Sequence, residues 1–76
     1  MAMETMEFKE ILKEILDEYG LTQTAFASAI GVKQSQVSEW LKGKAKPGYD
    51  NLKSILTNFD ISAEYLLGIN NLLYRK

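Results

Sequence analysis

A chain of 76 residues makes one domain with a small core. It contains no cysteine and no histidine, which excludes a disulfide framework and a thiolate metal site and removes the commonest general base and metal ligand. No apolar run approaches the ~20 residues of a membrane span, and the opening MAMETMEF lacks the basic and apolar parts of a signal peptide, so a soluble cytoplasmic protein is expected.

In chain order, residues 6–19 carry the clearest helical pattern. Phe8, Ile11, Leu12, Ile15, Leu16 and Tyr19 recur at i, i+3, i+4, i+7, i+8 and i+11, a single apolar stripe. Thr5 is the expected N-cap, Glu7 and Glu10 suit the positive end of the helix dipole, and Gly20 is the expected stop. Residues 1–5 read as a loose leader, with Met6 an alternative start. Leu21 precedes a second N-cap, Thr22, and is placed to staple the next helix. That helix, residues 23–30, holds Phe26, Ala27 and Ile30 at helical spacing and ends at Gly31. Residues 34–41 resume the period with Val37, Trp40 and Leu41, and Gly43 stops it. Two eight-residue helices joined by a glycine turn are the outline of a helix-turn-helix.

The segment Lys44-Ala45-Lys46-Pro47-Gly48 reads as an exposed loop. A fourth helix, residues 49–58, has Tyr49, Leu52, Ile55, Leu56 and Phe59 as its apolar face and Gly48 as its cap. After a short break at Asp60-Ile61, Ser62 caps a short fifth helix with Tyr65, Leu66 and Leu67 apolar, ended by Gly68. In the tail, residues 69–76, the paired asparagines favour a turn, and Leu72, Leu73 and Tyr74 suggest packing on the core or a dimer contact. No strand pattern appears. The expected fold is all-α, a compact five-helix bundle over residues 6–68.

Net charge is −1, but its distribution says more than its sum. Residues 1–19 carry six acids against Lys9 and Lys13, a balance of −4. Residues 33–53 carry five lysines against Glu39 and Asp50, a balance of +3. The basic part therefore coincides with the second helix of the motif and the loop after it.

Stepping about 100° per residue from Gln34, the residues Ser38, Lys42, Ser35 and Glu39 fall on one polar arc, and Leu41, Val37 and Trp40 on the other. Amides, hydroxyls and a carboxylate suit base edges in a major groove: a side-chain amide pairs with adenine N6 and N7, and a carboxylate accepts from cytosine N4. An ordinary solvated helix face fits the same spacing equally well. Gln23 and Thr24 open the preceding helix, where free N–H groups and an amide make an anion site, unless Thr22 simply caps it. Lys42, Lys44 and Lys46 stand ready for phosphates on the other flank, or form a solvated loop. Trp40 points inward on this count and reads as a core anchor.

With these residues in place, the chain resembles the phage Cro/CI-type repressor helix-turn-helix family from about Phe8 to Gly68. The matching features are Leu21-Thr22-Gln23, Ala27, Ile30-Gly31-Val32, Val37-Ser38, Trp40, Gly43, Pro47 and the ending from Phe59 to Gly68. The resemblance implies a five-helix lambda-repressor-like domain that binds double-stranded operator DNA, commonly as a homodimer, to regulate transcription, usually as a repressor. It implies a phosphate contact at Gln23, base reading by Gln34, Ser35 and Glu39 beside Ser38, and backbone contacts at Lys42 and Lys44. Two departures stand out. Lys33 replaces the usual Ser or Thr cap, so the second helix of the motif is expected to start less firmly, or Lys33 itself reaches a phosphate. Leu41 replaces a common Glu and removes any ion pair from that site.

Two other functions compete with this one. A protein-interaction module on the same fold, such as an antitoxin or an antagonist of another regulator, would work through the acidic first helix and the apolar tail. An enzyme is disfavoured: the chain has no His, no Cys, no glycine-rich phosphate loop and no evident acid pair, and no cofactor, metal or small-molecule substrate is expected.

Overall fold

Local side-chain hydrogen bonds open four of the five helices in the computed structural model, which describes residues 7–69. Helix α1 spans Phe8–Tyr19, α2 Gln23–Ile30, α3 Gln34–Leu41, α4 Tyr49–Asn58 and α5 Ala63–Leu66. Thr22 Oγ1 accepts from the Ala25 N–H at 3.0 Å to open α2, and Ser62 Oγ accepts from the Tyr65 N–H at 3.0 Å to open α5. Both caps are those expected from sequence.

The start of α1 differs from the expectation. Glu7, not Thr5, is the N-cap, because the Glu10 carboxylate reaches back to accept from the Glu7 N–H at 3.2 Å. The expected leader 1–5 and all of the tail beyond Ile69 lie outside the described residues.

Gly31 makes the turn of the motif. Its φ of 77° is left-handed, which lets the Val32 N–H reach back to the Ala27 carbonyl at 3.0 Å and turns the chain sharply into α3. At the far end of α3 the same geometry recurs: Gly43 N–H bonds Trp40 O at 3.1 Å and Lys44 N–H bonds Glu39 O at 3.0 Å.

Helix α3 packs on both α2 and α1, α2 packs on α4, and α1 packs on α5. The core is one cluster in which Phe26, Ile11, Leu12, Ile15, Ile55, Ile61, Leu66 and Val37 are fully buried. Trp40 is buried beside them and meets the Phe8 ring edge-on, with centroids 6.1 Å apart. Phe59 lies just past α4 and binds it to the motif. It stacks on Phe26 at 5.3 Å and meets Tyr19 edge-on at 5.1 Å, geometries that add about 0.5–1.5 kcal/mol each beyond burial.

Two apolar expectations change. Tyr49, placed on the apolar face of α4, is 75% exposed at the first residue of that helix; its ring instead carries the Lys53 ammonium 5.9 Å from the centroid. Leu67, placed on the apolar side of the last helix, is exposed as well; α5 ends at Leu66, and Leu67 turns outward in the cap. Ile61 lies in the expected break between α4 and α5 and is fully buried.

Candidate nucleic-acid interface

The packing of α3 decides which of its groups remain free. Val37 and Trp40 are buried and Leu41 packs against the core, as the angular count requires. Gln34 and Ser35 are exposed at the N-terminal end of α3, while Ser38 and Glu39 are half-buried further along the same face. The polar arc is therefore most open at the end that enters a major groove first in this motif.

Lys33 has no side-chain acceptor, yet α3 starts cleanly. Gln36 Oε1 accepts from the Lys33 N–H at 3.1 Å, the reciprocal half of a capping box. The side chain of Lys33 is left exposed at the mouth of the turn. Gln36, which falls between the two arcs and was given no role in the sequence reading, is thus a positioning residue for the helix; its spacing of three from the cap was the available signal.

The fold brings the openings of the two helices together. Gln34 Nε2 donates to Gln23 Oε1 at 2.7 Å, so the first residues of α2 and α3 are joined side chain to side chain across eleven positions of sequence. Thr24 is exposed next to Gln23. Thr22 satisfies the Ala25 N–H, and among the described residues no bond is donated by the Gln23 or Thr24 N–H. These two amides point out of the N-terminus of α2 and form a partially positive mouth beside Gln34.

On the opposite flank, Lys42, Lys44 and Lys46 are all exposed. Lys42 is the C-cap of α3, and Lys44 and Lys46 follow Gly43 in the loop. The resulting strip runs from the α2 mouth with Lys33, through Gln34 and Ser35, to the lysine loop. Its charge is positive at both ends and its middle is short-range polar. Among the described residues there is no group of acidic side chains that could hold a metal ion.

A five-helix domain whose second and third helices form this exposed strip is a lambda-repressor-like helix-turn-helix domain. Comparison with known proteins agrees. The family model described as helix-turn-helix matches residues 12–66. The HTH-type transcriptional activator BcrR of Enterococcus faecalis is 32% identical over 68 residues, which is 90% of this chain and 33% of that protein. The solution structure of the DNA-binding domain of the P22 C2 repressor superposes with a TM-score of 0.77 at 24% identity, covering 87% of each chain. A LexA SOS-response transcriptional repressor from Eubacterium rectale superposes with a TM-score of 0.75 at 26% identity, covering 92% of this chain and 74% of that one. The chain belongs to the Cro/CI-type helix-turn-helix family of DNA-binding domains, which is not a family of enzymes. It spans about a third of the length of the curated relative it matches.

Proposed function

We propose that this protein is a sequence-specific regulator of transcription that binds operator DNA with α3 in the major groove and acts as a repressor in the cytoplasm. The observation that carries the reading is the Gln34–Gln23 hydrogen bond. With one Nε2 hydrogen given to Gln23, the Gln34 amide keeps a second N–H and its Oε1, the complement of adenine N7 and N6. Gln23 keeps its own Nε2 hydrogens for a phosphate beside the free amides of α2. One hydrogen bond thus ties a backbone contact, which fixes register, to a base contact, which carries sequence.

Ser35 is the next base-reading group, followed by Ser38 and Glu39 deeper along the helix. Lys33, Thr24, Lys42, Lys44 and Lys46 supply phosphate contacts on the two flanks. Glu39 is repelled by phosphates, so its place near the middle of the strip favours a cytosine N4 donor. Repression needs only occupancy of a site that overlaps a promoter, which a DNA-facing strip of this kind supplies. Two of the structural relatives are named repressors, and the relative found by sequence is named an activator.

A symmetric homodimer doubles the strip and reads two half-sites about 34 Å apart, one helical turn of DNA. Tyr49, Leu67 and Ile69 are exposed apolar groups, and with half-buried Leu52 and Leu56 they supply a surface for such pairing. Selection of bound duplexes from a random pool at moderate salt tests the whole reading. The expected result is a palindromic motif with adenine at the position facing Gln34. If no motif is enriched, the DNA reading fails, and the protein-interaction module, working through the acidic first helix and the apolar tail, takes its place.

A further inference from the structure

We infer that Lys9, from the acidic first helix, belongs to the nucleic-acid interface as a phosphate contact on the lysine-loop flank. The inference rests on the DNA-binding reading above. Sequence assigns Lys9 to a segment with a balance of −4, and nothing in its spacing suggests a role. The fold moves it. Phe8 packs against Trp40, which sets the N-terminal turn of α1 over the C-terminal end of α3. The Lys9 stem then lies across Gly43: a Cβ at Gly43 would sit 3.1 Å from Lys9 Cδ and 3.6 Å from its Nζ. The ammonium is therefore held beside the loop that carries Lys44 and Lys46, and among the described residues it has no ion-pair partner.

Lys9 and Lys46 line a depression of about 60 Å³ together with Phe8, Trp40, Gly43 and Ala45. Among the described residues, no backbone hydrogen bond is donated by the Ala45 or Lys46 N–H. Lys9 and Lys46 thus line one small space, and the Ala45 and Lys46 amides at its border are unused. Glu7 also borders the depression and opposes an anion, so its charge sets an upper limit on the affinity of the site. Extra like charges gathered on an exposed flank raise the free energy of the isolated protein, and a polyanion relieves that repulsion by releasing its own counterions. The glycine matters here because any side chain at residue 43 would displace the Lys9 stem.

The competing role for Lys9 is purely structural, a cation at the negative end of the α3 dipole. Lys9→Met separates the two, since it keeps an unbranched apolar stem over Gly43 and removes only the charge. Affinity for a mixed-sequence duplex of about 20 base pairs is followed by fluorescence anisotropy across roughly 50–200 mM salt, with Lys44→Met and Lys53→Met as comparisons. The slope of log affinity against log salt should shrink by about 0.9 for Lys9→Met and for Lys44→Met, a loss of roughly fivefold at 0.15 M salt. Lys53→Met, whose ammonium lies over Tyr49, should change it far less, and Lys9→Arg should restore it. Glu7→Gln should tighten binding. An unchanged slope for Lys9→Met alongside a lowered melting temperature makes Lys9 a structural clamp and overturns the inference. An equal loss for Lys9→Met and Lys53→Met reduces the effect to net charge and also overturns it. Absence of duplex binding by the unaltered protein sinks the DNA reading itself, a separate outcome from either.

Discussion

The bond between Gln34 and Gln23 predicts a specific non-additivity. Both groups are neutral amides, 2.7 Å apart, with Gln34 exposed and Gln23 half-buried. Water competes for both in the free protein, so the bond contributes at the low end of about 0.5–1.5 kcal/mol to folding. Binding to DNA excludes that water and raises its weight. In the proposed binding mode, Gln34→Ala removes an adenine contact worth about 1–3 kcal/mol. In the same mode Gln23→Ala removes a phosphate contact and also releases Gln34 from its orientation, so it should weaken selectivity for adenine as well as affinity. The two losses share one bond, and the double variant should bind better than their sum by ~1 kcal/mol, about fivefold in Kd. The assay is a double-mutant cycle by fluorescence anisotropy on the selected operator and on a duplex with the Gln34-facing adenine replaced. If the two substitutions add to within about 0.3 kcal/mol, or if Gln23→Ala weakens both duplexes equally, then the bond does not couple positioning to reading and the reasoning fails.

Three further outcomes follow from the packing and caps. Trp40→Ala should cost about 3–5 kcal/mol, a large share of the roughly 4–11 kcal/mol available to a chain of this length; a thermal melt followed by far-UV circular dichroism should show a much lower midpoint, and a cooperative melt near that of the unaltered protein would contradict the core assignment. Gly31→Ala tests backbone strain alone, because a Cβ there meets nothing within 4 Å while φ is +77°. It should destabilise by about 1 kcal/mol and Gly31→Asn by less, so an alanine variant that melts higher would refute the left-handed turn. Tyr65 donates its hydroxyl to Glu14, and burial first, then the Glu14 carboxylate, push its phenol above its ordinary value of 10. Above pH 10 the unfolded chain releases this proton while the fold retains it, so stability falls with rising pH by up to about 1.4 kcal/mol per pH unit. Tyr65→Phe should flatten that alkaline limb of a pH–denaturation series, and an unchanged slope would remove Tyr65 as its source.

Much of the architecture was legible because it is set by contacts within a few residues. Thr22 and Ser62 cap helices through bonds three positions away, and the bounds of residues 23–30, 34–41 and 49–58 follow from such local devices and from apolar periodicity. The division of α3 into buried Val37 and Trp40 and open Gln34 and Ser35 was likewise fixed by helical geometry. Where local rules competed, sequence chose wrongly. Thr5 is the expected cap of α1 and Glu7 an acid of its first turn, but the backward reach of Glu10 makes Glu7 the cap.

Properties that depend on what lies across the fold were not legible. Tyr49 is an apolar residue whose burial is set by neighbours distant in sequence, and the fold reverses the expectation for it. The joining of Gln23 to Gln34 depends on the angle at which Gly31 sets α3 against α2. Local charge balance assigns Lys9 to the acidic end of the molecule, whereas the Phe8–Trp40 contact carries it to the basic loop. Sequence by itself thus determined the helices, their caps and the face each presents, because those depend on short-range bonding and a fixed angular step. Only tertiary packing decided which polar groups meet at the strip, because a residue's place in an interface depends on the helix it rides and on the side chains that dock that helix.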